Sequence, residues 1–378
     1  MRTLVYFCKN SWWDDRKARK VLLPLAFAGL EDCRTVLVNA PPAAWRLENR
    51  PLAWHHPDAA MNVLTPVRRL PGQRLQPIRY LNQRSRWSMV SSCLRQDGKT
   101  VVVLSDPEDE YIACIARRAG YPCWFDWTER WDLYQKSFST DMKMPVYRMD
   151  ILNKVDGVIA VSRELEKEAA RRVEAVFHLP NAVSDEFLAR LREPESIAKP
   201  AEYARIPEPR AVHIGSYNPA WIDWPALVAA AGRLPQVSFC MIGGGSDQSV
   251  PTKLPSNVFL LGRRPYEELP SYLAHADLCL LLYRPSATSA GDPTKLYEYL
   301  AAGRPIASTP HPRAMEMRQW LHIGSSPEEY AEAAFMALNA CDRARADAVR
   351  AFAAGHTWSR RAALLRDTLF EQDRNENE

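Results

Sequence analysis

Short, unbroken apolar runs alternate with helix-period segments along most of the chain. In the first half, residues 3–8, 34–39, 100–105, 123–126, 157–162 and 176–180 are nearly continuously apolar, which predicts strands covered on both faces. Residues 108–119 and 163–172 between them carry helical spacing. The pattern resumes with strands at 211–215, 237–242, 258–261, 278–283 and 305–308, and helices at 224–233, 266–275 and 293–302. Two more helical stretches follow, at 327–339 and 358–372. Strands separated by helices predict parallel sheets. Between the two series, residues 191–210 hold four prolines and mixed charge without an apolar period, which reads as a linker. A chain of 378 residues is also too long for one ordinary core. The expected organisation is α/β: a doubly wound domain over 1–190, a linker over 191–210 and a second doubly wound domain over 211–355.

Composition narrows the class without changing this picture. Apolar residues make up 47% and charged residues 25%, as in ordinary globular proteins. The apolar run near the amino terminus is shorter than the ~7–15 residues of a signal-peptide core. Runs such as 278–283 fall far below the ~20 residues that span a bilayer. The eight cysteines are scattered, with no Cys-x-x-Cys pair, so neither a zinc site nor a disulfide framework is expected. These features predict a cytoplasmic protein that needs no metal and no cofactor. The net charge of +4 is uneven: residues 1–190 hold 29 Lys+Arg against 23 Asp+Glu, and the remainder 20 against 22.

Within the basic half, residues 59–96 contain no acid and seven arginines, Arg68, Arg69, Arg74, Arg79, Arg84, Arg86 and Arg95. They are interleaved with Leu70, Leu75, Ile78, Tyr80, Leu81 and Trp87. Such a mixture suits an anionic membrane surface, where each cation contributes ~1 kcal/mol, or a polyprenyl-diphosphate acceptor. A solvated loop has the same composition. No nucleic-acid-binding motif accompanies it, so no nucleic acid is expected as partner.

The most informative chemistry lies in residues 291–305, GDPTKLYEYLAAGRP. Asp292 suits an N-cap, Pro293 the first helical position and Gly303 the stop. The amino end of such a helix offers free N–H groups and a positive dipole to an anion. Thr294 and Lys295 fall in its first turn, where an ammonium reaches a bound phosphate. Glu298 follows on the same face, and its carboxylate matches the vicinal hydroxyls of a ribose. A solvated Lys295–Glu298 pair, worth only ~0.2–0.5 kcal/mol, has the same spacing. Gly215, Ser216 and Tyr217 end the first strand of the second domain, where ligands bind doubly wound sheets. Gly243 and Gly244 end the next strand, where they either let backbone approach phosphates or form a tight turn. Tyr283 ends a third. The full Gly-x-Gly-x-x-Gly fingerprint of a nicotinamide enzyme is missing.

Residues 295–302 resemble the Pro-x-Lys-Leu-x-Glu-Tyr-Leu-Ala signature of family 4-like glycosyltransferases. The resemblance continues, in order, through Leu-Pro-Asn-Ala-Val at 179–183, Cys-Met-Ile-Gly-Gly-Gly at 240–245, Leu-Gly-Arg-Arg at 261–264, Glu-Glu-Leu-Pro-Ser-Tyr-Leu at 267–273, the aspartate-led strand at 277–283 and His-Thr-Trp-Ser-Arg at 356–360. In the first half, Trp13, residues 36–42 and Cys-Trp-Phe-Asp-Trp at 123–127 resemble exopolysaccharide transferases of the xanthan-type glucuronosyltransferase and teichuronic kinds. The resemblance implies a GT-B fold, two Rossmann-like domains facing across a cleft, with residues 356–378 crossing back to the first domain. It further implies a nucleoside-diphosphate sugar, UDP-linked, as co-substrate. The acceptor would be a lipid-linked saccharide or polysaccharide, and the protein peripheral at the inner face of the plasma membrane. Lys295 would stabilise the departing diphosphate and Glu298 hold the ribose. One departure is that many retaining members carry a Glu eight positions before the one matching Glu298, where this chain has Ala290.

An inverting transfer needs a base for the acceptor proton. Asp126, between Trp124 and Trp127 at a strand end, is the candidate, since indole walls raise a carboxyl pKa. Capping a helix at 128–132 is the competing role. Asp106 and Glu108 are weaker candidates. Two further functions share the scaffold: a nucleotide-sugar epimerase, and a catalytically silent membrane-associated protein.

Overall fold

The computed structural model describes residues 1–9, 18–40, 53–55, 59–66, 70, 75–91, 94, 99–130, 149–219, 221–244, 250–284, 291–340 and 343–370. The chain forms two compact units. Unit 1 comprises 1–136, 140–180 and 358–378; unit 2 comprises 181–357 with 137–139.

Unit 1 is built on β1 (Arg2–Phe7), β2 (Cys33–Val38), β3 (Ala53–His55), β4 (Met61–Leu64), β5 (Thr100–Leu104), β6 (Cys123–Trp127), β7 (Gly157–Ala160) and β8 (Ala175–His178). They lie in the order β3-β4-β2-β1-β5-β6-β7-β8. All neighbours are parallel except β3, which runs antiparallel to β4 and closes that edge. Val101, Val102, Val103 and Leu104 are all buried, the signature of a strand covered on both faces. Helices α1 (Arg19–Ala28), α2 (Gln76–Ser91), α3 (Glu110–Arg118) and α4 (Arg163–Ala169) belong to this unit. The last helix of the chain, Trp358–Phe370, also packs here on α1, with Phe27 and Phe370 rings 5.8 Å apart.

Unit 2 carries β9 (Arg210–Ser216), β10 (Ser238–Gly244), β11 (Val258–Gly262), β12 (Leu278–Leu281), β13 (Ile306–Ser308) and β14 (His322–Ile323), in the parallel order β11-β10-β9-β12-β13-β14. Its helices are α5 (Asp185–Arg190), α6 (Trp224–Arg233), α7 (Leu269–Ala274), α8 (Thr294–Ala302), α9 (Pro312–Glu316), α10 (Pro327–Asn339) and α11 (Arg343–Ala354); Trp358–Phe370 is then α12. Local chemistry sets several starts. The side chains of Ser184, Asp223 and Ser326 cap α5, α6 and α10 by accepting from backbone N–H groups. Gly303, at φ +66°, stops α8 in the left-handed conformation that only glycine adopts without strain.

Residues 191–210 are not a linker. Leu191, Tyr203 and Ile206 enter the unit 2 core, and Arg210 stacks 4.6 Å over Tyr203 while donating to the Ile206 and Tyr203 carbonyls. The prolines break helices into short 3-10 turns at Pro194–Ser196 and Ala201–Arg205 without freeing the segment from the core. The boundary between units therefore falls after residue 180 rather than at 190.

Candidate functional site

The strand order of unit 2 reverses direction around β9, which has β10 on one side and β12 on the other. Ligands of doubly wound sheets bind outside the carboxyl ends of strands at such a switch point. Four strand ends and the start of α8 meet there. Gly215 of β9 pairs in register with Gly243 of β10, and Ser216 with Gly244. A Cβ on Gly243 would collide with the Gly215 carbonyl, one on Gly215 with Lys295 Nζ, and one on Gly244 would lie 2.5 Å from Arg263 Nε. The glycines thus make a backbone floor on which an ammonium and a guanidinium rest.

Helix α8 begins at Thr294, one residue later than its sequence implies. Pro293 is the N-cap, and no side chain caps the amino end. Asp292 is not the cap. Its carboxylate accepts from Asn181 N at 2.7 Å, Tyr297 OH at 2.8 Å and Arg313 Nε at 3.1 Å, and its carbonyl accepts from Asn181 Nδ2 at 2.5 Å. A charge-assisted bond to a buried guanidinium outweighs a neutral amide cap. The carboxylate is drawn inward, and the first N–H groups of the helix keep their capacity to bind an anion.

Lys295 is half-buried, with Nζ 4.7 Å over the Tyr283 ring. Burial lowers its pKa to about 8, against the opposing pull of Glu298. Tyr283 is half-buried, its N–H donates to Thr309 Oγ1 (2.8 Å), and its ring sits 5.2 Å from that of His311. Glu298 is buried on the same helix. Burial, reinforced by Glu298, pushes the Tyr266 phenol far above its usual range. The structure therefore brings together Lys295, Thr294, Tyr283, Gly215, Gly243 and Gly244, with Glu298 next along the helix. Ser216 is exposed, its Oγ accepting from Asn218 N at 3.1 Å.

Other sequence-derived candidates sit elsewhere. The Tyr217 side chain is a core group: it is buried against Trp224 and donates to the Met241 carbonyl at 2.5 Å. Asp126 is fully buried in unit 1, where Arg19 grips both carboxylate oxygens (2.9–3.1 Å) and Tyr6 OH donates to Oδ2 at 2.6 Å. Arg19 also donates to the Leu179 carbonyl at 2.8 Å. So enclosed, the carboxylate forms a structural ion pair, its oxygens occupied by Arg19 and Tyr6. Asp106 is likewise engaged, by Lys9 at 3.4 Å and by the Glu108 N–H.

The described arginines of this stretch lie on helix α2, and they divide. Arg86 is buried, paired with Asp109 at 2.6 Å and lying 5.2 Å over Phe7; Trp87 is buried against Phe7 and Tyr121. Neither belongs to a surface. Arg79 pairs with Glu110 at 3.5 Å, while Arg84 is exposed beside Leu81 and Tyr80. Arg68, Arg69 and Arg74 lie outside the described residues.

Four residues of unit 2 were given no role by the sequence. Asn181 and Arg313 tether Asp292, and Arg263 covers Gly244. His213 lies inside β9, a polar residue between the apolar Val212 and Ile214 and two places before Gly215. That interruption was the available signal.

Comparison with known proteins agrees with this architecture. Residues 208–340 match the family described as Glycosyl transferases group 1. TuaH of Bacillus subtilis, described as a teichuronic acid biosynthesis glycosyltransferase, is 28% identical over 181 residues, 45% of this chain and 44% of that protein. The match therefore spans less than half of the relative's length. Among solved structures, sucrose-phosphate synthase from Thermosynechococcus elongatus superposes with a TM-score of 0.71 at 14% identity, covering 100% of both chains. HepE of Anabaena, solved in complex with UDP, gives 0.63 at 17% identity, over 98% of this chain and 100% of that one. The chain thus has the GT-B fold, and residues 208–340 of its second unit match a group 1 glycosyltransferase domain.

Proposed function

We propose that the protein is a glycosyltransferase that moves a sugar from a UDP-sugar to an acceptor hydroxyl, with the donor on unit 2. The observation carrying this reading is the uncapped start of α8, with the Lys295 ammonium resting on the Gly215–Gly243 floor. In the reaction, the acceptor oxygen bonds to the sugar C1 as the bond from C1 to the diphosphate oxygen breaks. The diphosphate departs with its extra negative charge, and the acceptor proton passes to a base. Thr294, Lys295 and the helix amides face that developing charge, where preorganised donors act most strongly. Glu298 accepts from the ribose hydroxyls. The UDP and UDP-sugar complexes solved for HepE and for the Escherichia coli trehalose-6-phosphate protein support the choice of base.

The acceptor is a lipid-linked or polysaccharide glycan of the cell surface, a reading supported by the TuaH likeness. Exposed Leu75, Tyr80, Leu81 and Arg84 at the amino-terminal half of α2 supply an apolar and basic contact for an anionic membrane. A panel of UDP-, GDP- and dTDP-sugars scored by thermal shift tests the donor. A ligand at about a hundred times its Kd adds ~2.7 kcal/mol of stability. Stabilisation by UDP-sugars above the others is expected, and no shift with any nucleotide sugar removes the donor assignment.

A further inference from the structure

His213 sits in the middle of β9, 1% exposed, among apolar neighbours. Its Nδ1 lies 3.0 Å from the Leu280 carbonyl oxygen. A carbonyl only accepts, so Nδ1 carries the proton, and in the neutral ring Nε2 is then a bare lone pair. Burial, with the Lys295 charge adding to it, holds the His213 pKa well below the usual value, so the ring is neutral at physiological pH. Nε2 is itself buried and has no hydrogen-bond partner. Buried acceptors are seldom left in that state, and such an atom calls for a donor.

One donor stands beside it. The point where a Gly215 Cβ would sit is 3.1 Å from His213 Nε2 and inside contact distance of Lys295 Nζ. The missing side chain of Gly215 is thus a notch that holds the ammonium, with the imidazole lone pair as its back wall and the Tyr283 face beside it. We propose that His213 is a positioning residue that accepts a hydrogen bond from Lys295 through Nε2 and aims its ammonium at the donor diphosphate. Among the described residues, the remaining titratable groups around the ammonium are Glu298 on α8 itself, Tyr283 after β12 and, tilted against Tyr283, His311. The inference rests on the donor reading of Lys295 given above. It adds the strand residue that fixes where the ammonium points.

The test compares His213→Leu, which fills the space without an acceptor, with His213→Gln, which restores an acceptor oxygen. Two readouts are taken on the full chain. The first is the ligand-free titration of Lys295 followed by NMR of a labelled ε-carbon. A lone pair stabilises the ammonium, so His213→Leu should move the midpoint below the value of about 8, and His213→Gln should move it back. The second is UDP affinity by calorimetry near pH 7, expected to fall roughly tenfold in the Leu variant and to recover in the Gln variant. An unchanged Lys295 midpoint in His213→Leu, or equal losses in both variants with unfolding temperatures like the parent's, overturns the proposal. Lys295→Met separates this from the donor reading. If it binds UDP as the parent does, Lys295 is not in the donor site. If it loses UDP while His213→Leu binds and titrates normally, only the positioning role fails.

Discussion

Each unit places an ionised side chain at the carboxyl end of a parallel sheet, and the two are treated in opposite ways. In unit 1, Asp126 is enclosed and matched: one guanidinium holds both oxygens and a phenol holds one of them. In unit 2, Lys295 is half-buried above a glycine floor, beside an imidazole nitrogen without a partner and a helix end without a side-chain cap. Asp126 looked catalytic because of its place in the fold, and Lys295 looked ambiguous because a lysine and glutamate on a helix are common. What separates them is saturation. A group whose bonding capacity is exhausted by its own protein has none left for a substrate.

The sharpest way to break this contrast is Asp126→Ala. It strands the Arg19 charge in the core and should cost about 3–5 kcal/mol in urea unfolding, with UDP affinity of the folded protein unchanged. Full stability with abolished turnover would instead restore Asp126 as a base. Next in size is Gly243→Ala, which drives a methyl into the Gly215 carbonyl. A loss of about 3 kcal/mol is expected, read as a fall in unfolding temperature, with UDP protection lost alongside. Lys295→Ala should lower kcat/KM roughly ten- to hundredfold, about 1.5–3 kcal/mol of charge-assisted bonding, while leaving the fold intact.

The pH response sharpens the same point. The Lys295 pKa is lowered by folding from the ordinary 10.5 to about 8. Because the unfolded chain binds the extra proton between those values, this group makes stability rise with pH across that window. UDP affinity should move the other way, weakening as pH passes 8 and the ammonium is lost. Calorimetry across that range checks the sign. The smallest effect is expected at α2: Arg84→Glu should reduce binding to vesicles rich in anionic lipid by several-fold, about 1 kcal/mol per cation lost.

Much of the sheet architecture was legible because parallel strands are apolar on both faces and need no partner to be recognised. Val101–Leu104 is such a run. The start of α8 was misread by one residue, since Asp292 is the better cap locally but is claimed by Arg313, twenty-one positions on. Helix α2 was hidden by its own polarity: Asn82, Gln83 and Arg86 are buried to hold Leu70 and the start of α3, which reverses the usual pattern. β3 and β4, at three and four residues, are too short to show a period. Asp126 was misjudged because Arg19 is 107 positions away, beyond any local window. His213 went unnoticed for a simpler reason: one polar letter in a strand carries no periodic signal.

The discontinuity of unit 1 bears on how the molecule is made. Its strands are contiguous in the first 180 residues, yet the helix that seats Phe370 on Phe27 is encoded after all of unit 2. On the ribosome, the half that emerges first cannot finish until the other has been translated, and α1 must wait with an apolar flank uncovered. Clipping the chain just before Trp358 would spare unit 2 and injure the unit at the opposite terminus.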